Sequence, residues 1–244
     1  MRKITINLAA VAAFCIVVAS PALVSSSCAT PKTEQEDTTI IREDSGITAL
    51  KYSSPEVPAS IEFCGKTIDL SRFDRHERMD RELLAFTYMH STSLQMLKKA
   101  NRYFPIVEPI LKENGIPDDF KYLMVIESNM NPTARSSAGA AGLWQFMQGT
   151  GRDYGLEVNN NVDERYHIEK ATRAACRYLK DAYAKYKDWV AVAASYNAGQ
   201  ARIASQLAKQ DVDDSLDLQL VEETARYVYR ILAAKQLFNA PTTF

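Results

Sequence analysis

The sequence predicts a mainly α-helical fold with a small β-hairpin ahead of the helices. From residue 78 onward, apolar side chains recur at helical spacing, and glycine and proline residues mark helix ends. Strand-like alternation is confined to residues 61–70, where it is centred on Gly65. The 244 residues contain no repeat, and this length suits one well-cored domain with accessory segments.

Residues 1–28 have the organisation of an export signal. A positively charged start precedes an uncharged stretch at residues 8–18, and small residues follow Pro21. A retained membrane anchor is the alternative, but the apolar core is short and is interrupted by Pro21. Cleavage could follow Ala29, or Cys28 could be the lipid-accepting cysteine of a lipoprotein. We slightly favour the lipoprotein because a polar segment follows at once, and we therefore expect a periplasmic protein, anchored to the outer membrane if Cys28 is lipidated.

The segment after the signal is expected to be a flexible tether. Residues 29–57 are polar, mixed in charge and without clear periodicity. Residues 58–97 are expected to form an accessory hairpin and helix, and residues 98–240 the main helical domain. We expect this domain to be a monomer.

Helix boundaries follow from local stop and start signals. Gly115 ends one helix, Pro117 opens the next, and Gly199 ends a buried-looking helix. A polar loop is expected at residues 131–142. The predicted helices cover residues 80–102, 105–114, a stretch from 117 through 127, a short helix beginning at 144–147, then 168–187, 189–198 and 219–239.

Composition excludes several functions. The formal net charge is −1, so the chain lacks the basic excess that is typical of nucleic-acid binding. His76, His90 and His167 are isolated from one another and from any CxxC pair, which argues against a zinc site; we expect no metal and no cofactor. Cys176 lies on an apolar helical stripe, so a buried free thiol is favoured over a disulfide with Cys64.

Glu127 is the first candidate catalytic residue. It shares a helical stripe with Phe120, Leu123 and Met124. Desolvation on such a stripe raises a carboxyl pKa above its usual ~4.3. A carboxylic acid that keeps its proton near neutral pH can protonate a poor leaving group, as glycosidases require. The alternative is a structural residue held by Arg135 or by backbone amides.

Small and aromatic residues follow Glu127 and could form a ligand groove. Ser136 lies among glycines that allow a close backbone approach, and Gln145 and Met147 belong to a run that offers an amide and apolar faces. Such side chains hold sugar rings and acetamido groups, although plain core packing is the simpler explanation of the run taken alone. Tyr196 and Asn197 precede a helix-ending glycine and could be a core tyrosine and a helix cap.

Glu223 and Tyr227 place a second carboxylate and a second phenol at helical spacing. A surface helix pair is the simpler explanation for these two residues taken alone.

The order of these motifs is more specific than any one of them. Residues 98–240 resemble the soluble lytic transglycosylase domain of glycoside hydrolase family 23, most closely the membrane-bound lytic murein transglycosylase D type. The matching segments are PDDFKYL at 117–123, VIES at 125–128, GAAGLWQFM at 139–147, VDER at 162–165, ASYNAG at 194–199 and ETARYV at 223–228.

The resemblance implies a lysozyme-like (goose-type) helical catalytic domain that cleaves the β-1,4 bond between N-acetylmuramic acid and N-acetylglucosamine in peptidoglycan. A single glutamate, here Glu127, would protonate the glycosidic oxygen and then activate the muramyl 6-hydroxyl, giving a 1,6-anhydro product. The family's groove and subsite roles would fall on Ser136, Gln145, Met147, Tyr196 and Asn197, with Glu223 and Tyr227 supporting the glutamate.

Two departures and two alternatives accompany the resemblance. Gln148 stands where the family usually has proline, and no LysM repeat is recognisable. A goose-type lysozyme would use water instead of the 6-hydroxyl as acceptor. A peptidoglycan-binding scaffold without catalysis is the alternative from another functional class.

Overall fold

The computed structural model describes residues 54–244. This part of the chain begins with an antiparallel hairpin of β1 (Ser60–Phe63) and β2 (Lys66–Asp69). The turn uses Gly65, which has a φ of 81° and needs no side chain there. The predicted hairpin is therefore confirmed.

Helices make up most of the rest. They are α1 (Phe73–Tyr88), α2 (His90–Glu113), α3 (Phe120–Ser128), α4 (Gln148–Asp153), α5 (Ile168–Tyr186), α6 (Trp189–Ala198), α7 (Gln200–Lys209) and α8 (Glu222–Asn239). Single 3-10 turns lie at Glu164–Tyr166, Ser215–Asp217 and Pro241–Thr243. The mainly α-helical fold with an N-terminal hairpin is confirmed.

The core is built around α3, α6 and α8. Every residue of α3 except Lys121 and Glu127 is buried, and so is the run 190–195 of α6. Because α6 presents alanines and valines on all sides, neighbouring helices can approach it closely. The helix α8 packs against α1, α3 and α6, and it thereby joins both ends of the described chain.

The hairpin and α1 are joined to this core by charged groups. Asp119 accepts a hydrogen bond from the backbone N–H of Cys64 (2.7 Å) and pairs with Lys235 of α8 (2.7 Å). Glu82 of α1 is buried and accepts from Nε of Arg226 on α8 (2.6 Å). A buried carboxylate needs such a partner, so the contact fixes how α1 lies on α8.

The predicted helices over 80–102 and 105–114 are wrong in their boundaries. The chain breaks at Met89, between α1 and α2, and α2 then continues through Pro105 and Pro109 without ending. Proline in a helix interior removes a hydrogen bond and costs ~3 kcal/mol, which is the reason a new helix was expected at Pro105.

The position of the two prolines explains why α2 tolerates them. Pro105 and Pro109 are exposed on one face and border a surface hollow of about 770 Å3, so both rings lie on the solvent side of the helix. The opposite face buries Met96, Val107 and Leu111. Each such side chain contributes ~1.5–3 kcal/mol on burial, so the buried face outweighs the prolines.

Three further boundaries differ from prediction. Residues 142–145 form a turn, Phe146 forms an isolated β-bridge with Ala141, and α4 begins only at Gln148. The helix α7 was not predicted; its only fully buried side chain is Ile203, so its apolar stripe is narrow. The last helix begins at Glu222, three residues after the predicted start at 219.

Cys64 and Cys176 are free thiols, and Cys176 is buried, as predicted. Burial raises the pKa of the Cys176 thiol to about 11, so it stays protonated and unreactive. The predicted signal at residues 1–28, with Cys28, and most of the tether lie outside the described residues.

Within residues 54–244, no helix has the length and apolar character needed to cross a membrane.

Candidate active site

Glu127 lies in the last turn of α3 and faces α8. The Tyr227 hydroxyl of α8 donates a hydrogen bond to Oε1 of Glu127. Tyr227 is buried, whereas Glu127 is surrounded by protein atoms but keeps an accessible face. The carboxyl group is thus partly desolvated and still reachable from solvent. Its hydrogen-bond partner is a tyrosine and not Arg135, whose side chain is exposed.

Burial raises the pKa of Glu127 from 4.5 to about 7. The hydrogen bond from Tyr227 and the positive charge of Arg230 act in the opposite direction, and the negative charge of Glu223 adds slightly to the rise. Burial, with the nearby Glu127 charge, also raises the pKa of Tyr196 and Tyr227 well above the ordinary phenol value. Both phenols therefore remain protonated and can act as hydrogen-bond donors.

The chain turns sharply after Glu127. Asn129 and Met130 both have left-handed backbone conformations, with φ of 49° and 59°. Such conformations are unfavourable for residues with side chains, and surrounding packing must hold them. Met130 is fully buried and provides that packing. The helix consequently ends at the site, and the following loop can fold back beside it.

The loop 134–147 is held by Arg165. This buried guanidinium donates to the carbonyl oxygens of Gly139 (2.8 Å) and Phe146 (3.0 Å) and pairs with Asp163. Gly142 is also required, because a Cβ there would lie 1.9 Å from the carbonyl oxygen of Arg165. The loop therefore has a fixed shape.

The fixed loop separates core residues from cleft residues. Trp144 is buried and donates from Nε1 to the hydroxyl of Thr172 (2.9 Å), whereas Met147 is 45% exposed. Gln145 has a φ of 46° and donates from Nε2 to the carbonyl oxygen of Gly142 (2.8 Å). Core packing is confirmed for Trp144 and Phe146, which are both buried, while Gln145, Phe146 and Met147 also line a cavity. The ligand-groove interpretation of Gln145 and Met147 stays a prediction.

A cavity of about 300 Å3 lies between this loop and the end of α6. Tyr196 lines it and donates from its hydroxyl to the carbonyl oxygen of Trp144 (2.8 Å). Its lining residues are Gln145, Phe146, Met147, Thr150, Tyr178, Tyr196, Asn197, Ala198 and Gly199. Glu127 does not itself line the cavity, but its charge acts on Tyr196, which does.

The structure brings together most of the predicted site residues. Gln145, Met147, Tyr196 and Asn197 line the cavity, and Tyr227 contacts Glu127 directly.

Two predicted residues lie elsewhere. Ser136 is exposed, does not line the cavity, and accepts from the backbone N–H of Ala140 (3.0 Å). Glu223 is exposed at the start of α8 and acts on Glu127 only through its charge.

Sequence reasoning missed two residues that shape the site. Arg165 holds the loop, and Thr224 donates from its hydroxyl to Oδ1 of Asn197 (2.9 Å). Both fall inside the segments quoted for the resemblance, VDER and ETARYV, so their positions carried a signal. In residues 54–244, no group of three or more His, Cys, Asp or Glu side chains is arranged to hold a metal ion.

Comparison with known proteins identifies the family. The protein-family model described as the transglycosylase SLT domain matches residues 105–217. These residues are an SLT domain. The family predicted from the order of the motifs is therefore confirmed. The matched segment includes Glu127 and the cavity-lining residues, whereas Tyr227 follows it on α8.

Relatives of this SLT domain include proteins that are named transglycosylases. Membrane-bound lytic murein transglycosylase D of Escherichia coli K12 is 30% identical over 168 residues, covering 67% of this chain and 36% of the relative. Peptidoglycan transglycosylase gp16 of phage T7 is 31% identical over 123 residues, covering 49% of this chain and 9% of the relative. The chain thus spans only about a third, or less, of these relatives.

A solved structure of lytic transglycosylase Slt from Pseudomonas aeruginosa aligns with a TM-score of 0.48 and 22% identity, over 57% of this chain and 24% of that one.

Proposed function

We propose that this protein is a peptidoglycan lytic transglycosylase that cleaves the MurNAc–GlcNAc β-1,4 bond and leaves 1,6-anhydroMurNAc ends. The observation that carries the proposal is the carboxyl group of Glu127, which has a pKa of about 7 and an accessible face, and whose charge acts on Tyr196 in the cavity lining. The SLT domain and the names of its relatives support this substrate and reaction.

In the proposed reaction, Glu127 acts twice. The protonated carboxyl first gives its proton to the glycosidic oxygen as the bond from C1 of the muramyl residue breaks. The resulting carboxylate then takes the proton of the muramyl 6-hydroxyl, whose oxygen bonds to C1. The reaction consumes no water and returns Glu127 to its protonated form.

Tyr227 supports both steps. Its hydroxyl donates to Oε1, so it stabilises the carboxylate that exists between the two proton transfers. Among residues 54–244, Glu223 is the one carboxylate whose charge raises the pKa of Glu127, and it is exposed at the start of α8. A single acid–base residue agrees with this arrangement better than a nucleophilic pair does.

The groove roles follow from the cavity. Gln145, Met147, Tyr196 and Asn197 would contact the sugar chain, because they line one cavity and the charge of Glu127 acts on Tyr196 among them. Ser136 and Glu223 would contact it only from the outer rim. We assign the catalytic domain to residues 98–240, since Tyr227 lies beyond the matched segment, and an accessory role to residues 58–97.

We further propose that the protein is exported to the periplasm as a monomer, with residues 1–28 as signal and residues 29–57 as tether. The charge and apolar pattern of residues 1–28 supports export, and Cys28 would accept a lipid anchor. The relative from Escherichia coli is described as membrane-bound, which agrees with such an anchor.

The test is mass spectrometry of the soluble products from purified sacculi. The unaltered protein, Glu127→Gln and the exposed-site control Glu77→Gln are compared. Anhydromuramyl ends from the unaltered protein and the control, but not from Glu127→Gln, are the expected result. Reducing muramic ends would instead indicate a lysozyme. Binding to sacculi without any Glu127-dependent product would indicate a scaffold.

A further inference from the structure

We infer that Thr224 is a positioning residue that fixes the side-chain amide of Asn197 and so makes this part of the cleft specific for a substituent with an acceptor oxygen. The inference rests on the proposed function, because it names a further determinant of the same site. It starts from one contact between two helices: the Thr224 hydroxyl of α8 donates to Oδ1 of Asn197 on α6, at 2.9 Å.

The burial of Thr224 makes this contact necessary. Thr224 is 2% exposed, so its hydroxyl must find a partner within the protein. A hydroxyl has one proton to donate, and here that proton is used on Oδ1 of Asn197. The amide oxygen therefore faces the interior, and the amide nitrogen is turned away from Thr224.

The amide nitrogen is left free to meet a ligand. Nδ2 of Asn197 makes no hydrogen bond to any residue between 54 and 244. In the same range, Nε of Arg75 is the only side-chain polar atom that is both buried and unpartnered, so Nδ2 is in contact with solvent. Because Asn197 lines the 300 Å3 cavity, its two N–H donors are available at the cleft.

The fixed orientation decides which groups are recognised. An asparagine that rotates freely can present either its oxygen or its nitrogen, and it would accept donors and acceptors alike. With Oδ1 held at Thr224, Asn197 presents its N–H donors to the cleft. It therefore favours the carbonyl oxygen of an acetamido group and disfavours the ammonium that remains when a sugar loses its acetyl group.

The contact also connects binding with the acid. Thr224 precedes Tyr227 by three residues, so the two side chains lie on the same face of α8. One holds Asn197 and the other donates to Glu127. A single helix thus sets the position of a binding group and of the acid's hydrogen-bond donor.

Steady-state kinetics on N-acetylated and partly de-N-acetylated glycan strands test the inference. Thr224→Val removes the hydroxyl with almost no change in shape, and Thr224→Ser keeps it. For Thr224→Val we expect KM on the N-acetylated substrate to rise by about 3- to 10-fold, the range for one lost neutral hydrogen bond, with a smaller change in kcat. Thr224→Ser should recover most of the lost affinity. In a protein that already carries Asn197→Ala, adding Thr224→Val should not change KM further.

Thr172→Val is the matched structural control. Thr172 is also buried, but its hydroxyl contacts Trp144 and the carbonyl of Ile168 instead of the cleft. This variant should lower stability without changing the preference for N-acetylated strands. Equal KM changes on both substrates for Thr224→Val, or no change on either, would overturn the inference.

A measurement independent of turnover separates this inference from the proposed function. The side-chain amide signals of Asn197 in a 15N–1H spectrum, assigned by their loss in Asn197→Ala, should shift in Thr224→Val and return towards their original position in Thr224→Ser. If the unaltered protein made no Glu127-dependent product, the proposed function would fail while this spectrum still tested the contact. Unchanged Asn197 signals in an active Thr224→Val enzyme would refute the contact alone.

Discussion

Replacing Glu127 with glutamine should stabilise the protein, and the gain should grow with pH. In the unfolded chain the carboxyl group titrates near 4.5, and in the folded protein burial raises its pKa to about 7. Between these values the folded state holds a proton that the unfolded state has lost. The free energy of unfolding of the unaltered protein must therefore fall as pH rises through this window.

The size of the effect follows from the pKa shift. One pKa unit corresponds to about 1.4 kcal/mol. For a shift from 4.5 to about 7, linkage predicts a loss of about 2.5 kcal/mol between pH 5 and pH 8. Solvent screening at the accessible face of Glu127 reduces this to about 2 kcal/mol. Glutamine does not titrate and avoids the whole loss.

Urea unfolding of both proteins at pH 5 and pH 8 measures this difference. Other titrating groups contribute equally to both proteins, so they cancel when the two unfolding free energies are subtracted. Glu127→Gln should differ little from the unaltered protein at pH 5 and be about 2 kcal/mol more stable at pH 8. The control Glu77→Gln should show no such change. A difference that stays constant between pH 5 and pH 8 would mean that Glu127 is not a desolvated acid.

Three other substitutions test the site and its supports. The kcat/KM of the unaltered protein should fall as pH rises through about 7, because Glu127 must be protonated to act as the acid. Tyr227→Phe should move this fall to higher pH, because it removes the hydrogen bond that lowers the pKa of Glu127. A pH profile that Tyr227→Phe leaves in place would contradict the assignment. Trp144→Ala should lower the free energy of unfolding by about 3–5 kcal/mol because the ring is fully buried; similar denaturation midpoints would refute this. Gly142→Ala should lower it by at least about 2 kcal/mol and displace the loop, since its Cβ would meet the Arg165 carbonyl, so an equally stable variant would show that the loop can move.

The parts of the fold that depend on neighbouring residues could be predicted from the sequence. Gly65 marks the hairpin turn, and Gly199 ends α6, because each has a positive φ that glycine adopts without strain. Glu127 could be found for a similar reason. Its apolar neighbours one turn earlier indicate a desolvated carboxyl group, and its raised pKa is in line with that expectation.

The parts that depend on solvent access or on distant residues could not be predicted in this way. Pro105 has no N–H to donate to the carbonyl group four residues earlier. Whether it ends a helix depends on whether that carbonyl group meets water or protein, and this is a property of the folded surface. Gln145 has a left-handed backbone because Arg165 and the surrounding loop hold it there. The contact of Tyr227 with Glu127 joins residues 100 positions apart, so only the order of the motifs suggested it.

The position of Tyr227 on α8 places a group that tunes the acid outside the segment that the SLT family model matches. The SLT match ends at residue 217, and α8 begins at Glu222. Substitutions on α8 that shift Tyr227 or change the charges of Glu223 and Arg230 would alter the acidity of Glu127 while leaving residues 105–217 intact. Proteins that share this segment can therefore work best at different pH values, and a chain cut after residue 217 would keep the acid but lose the group that stabilises its charged form.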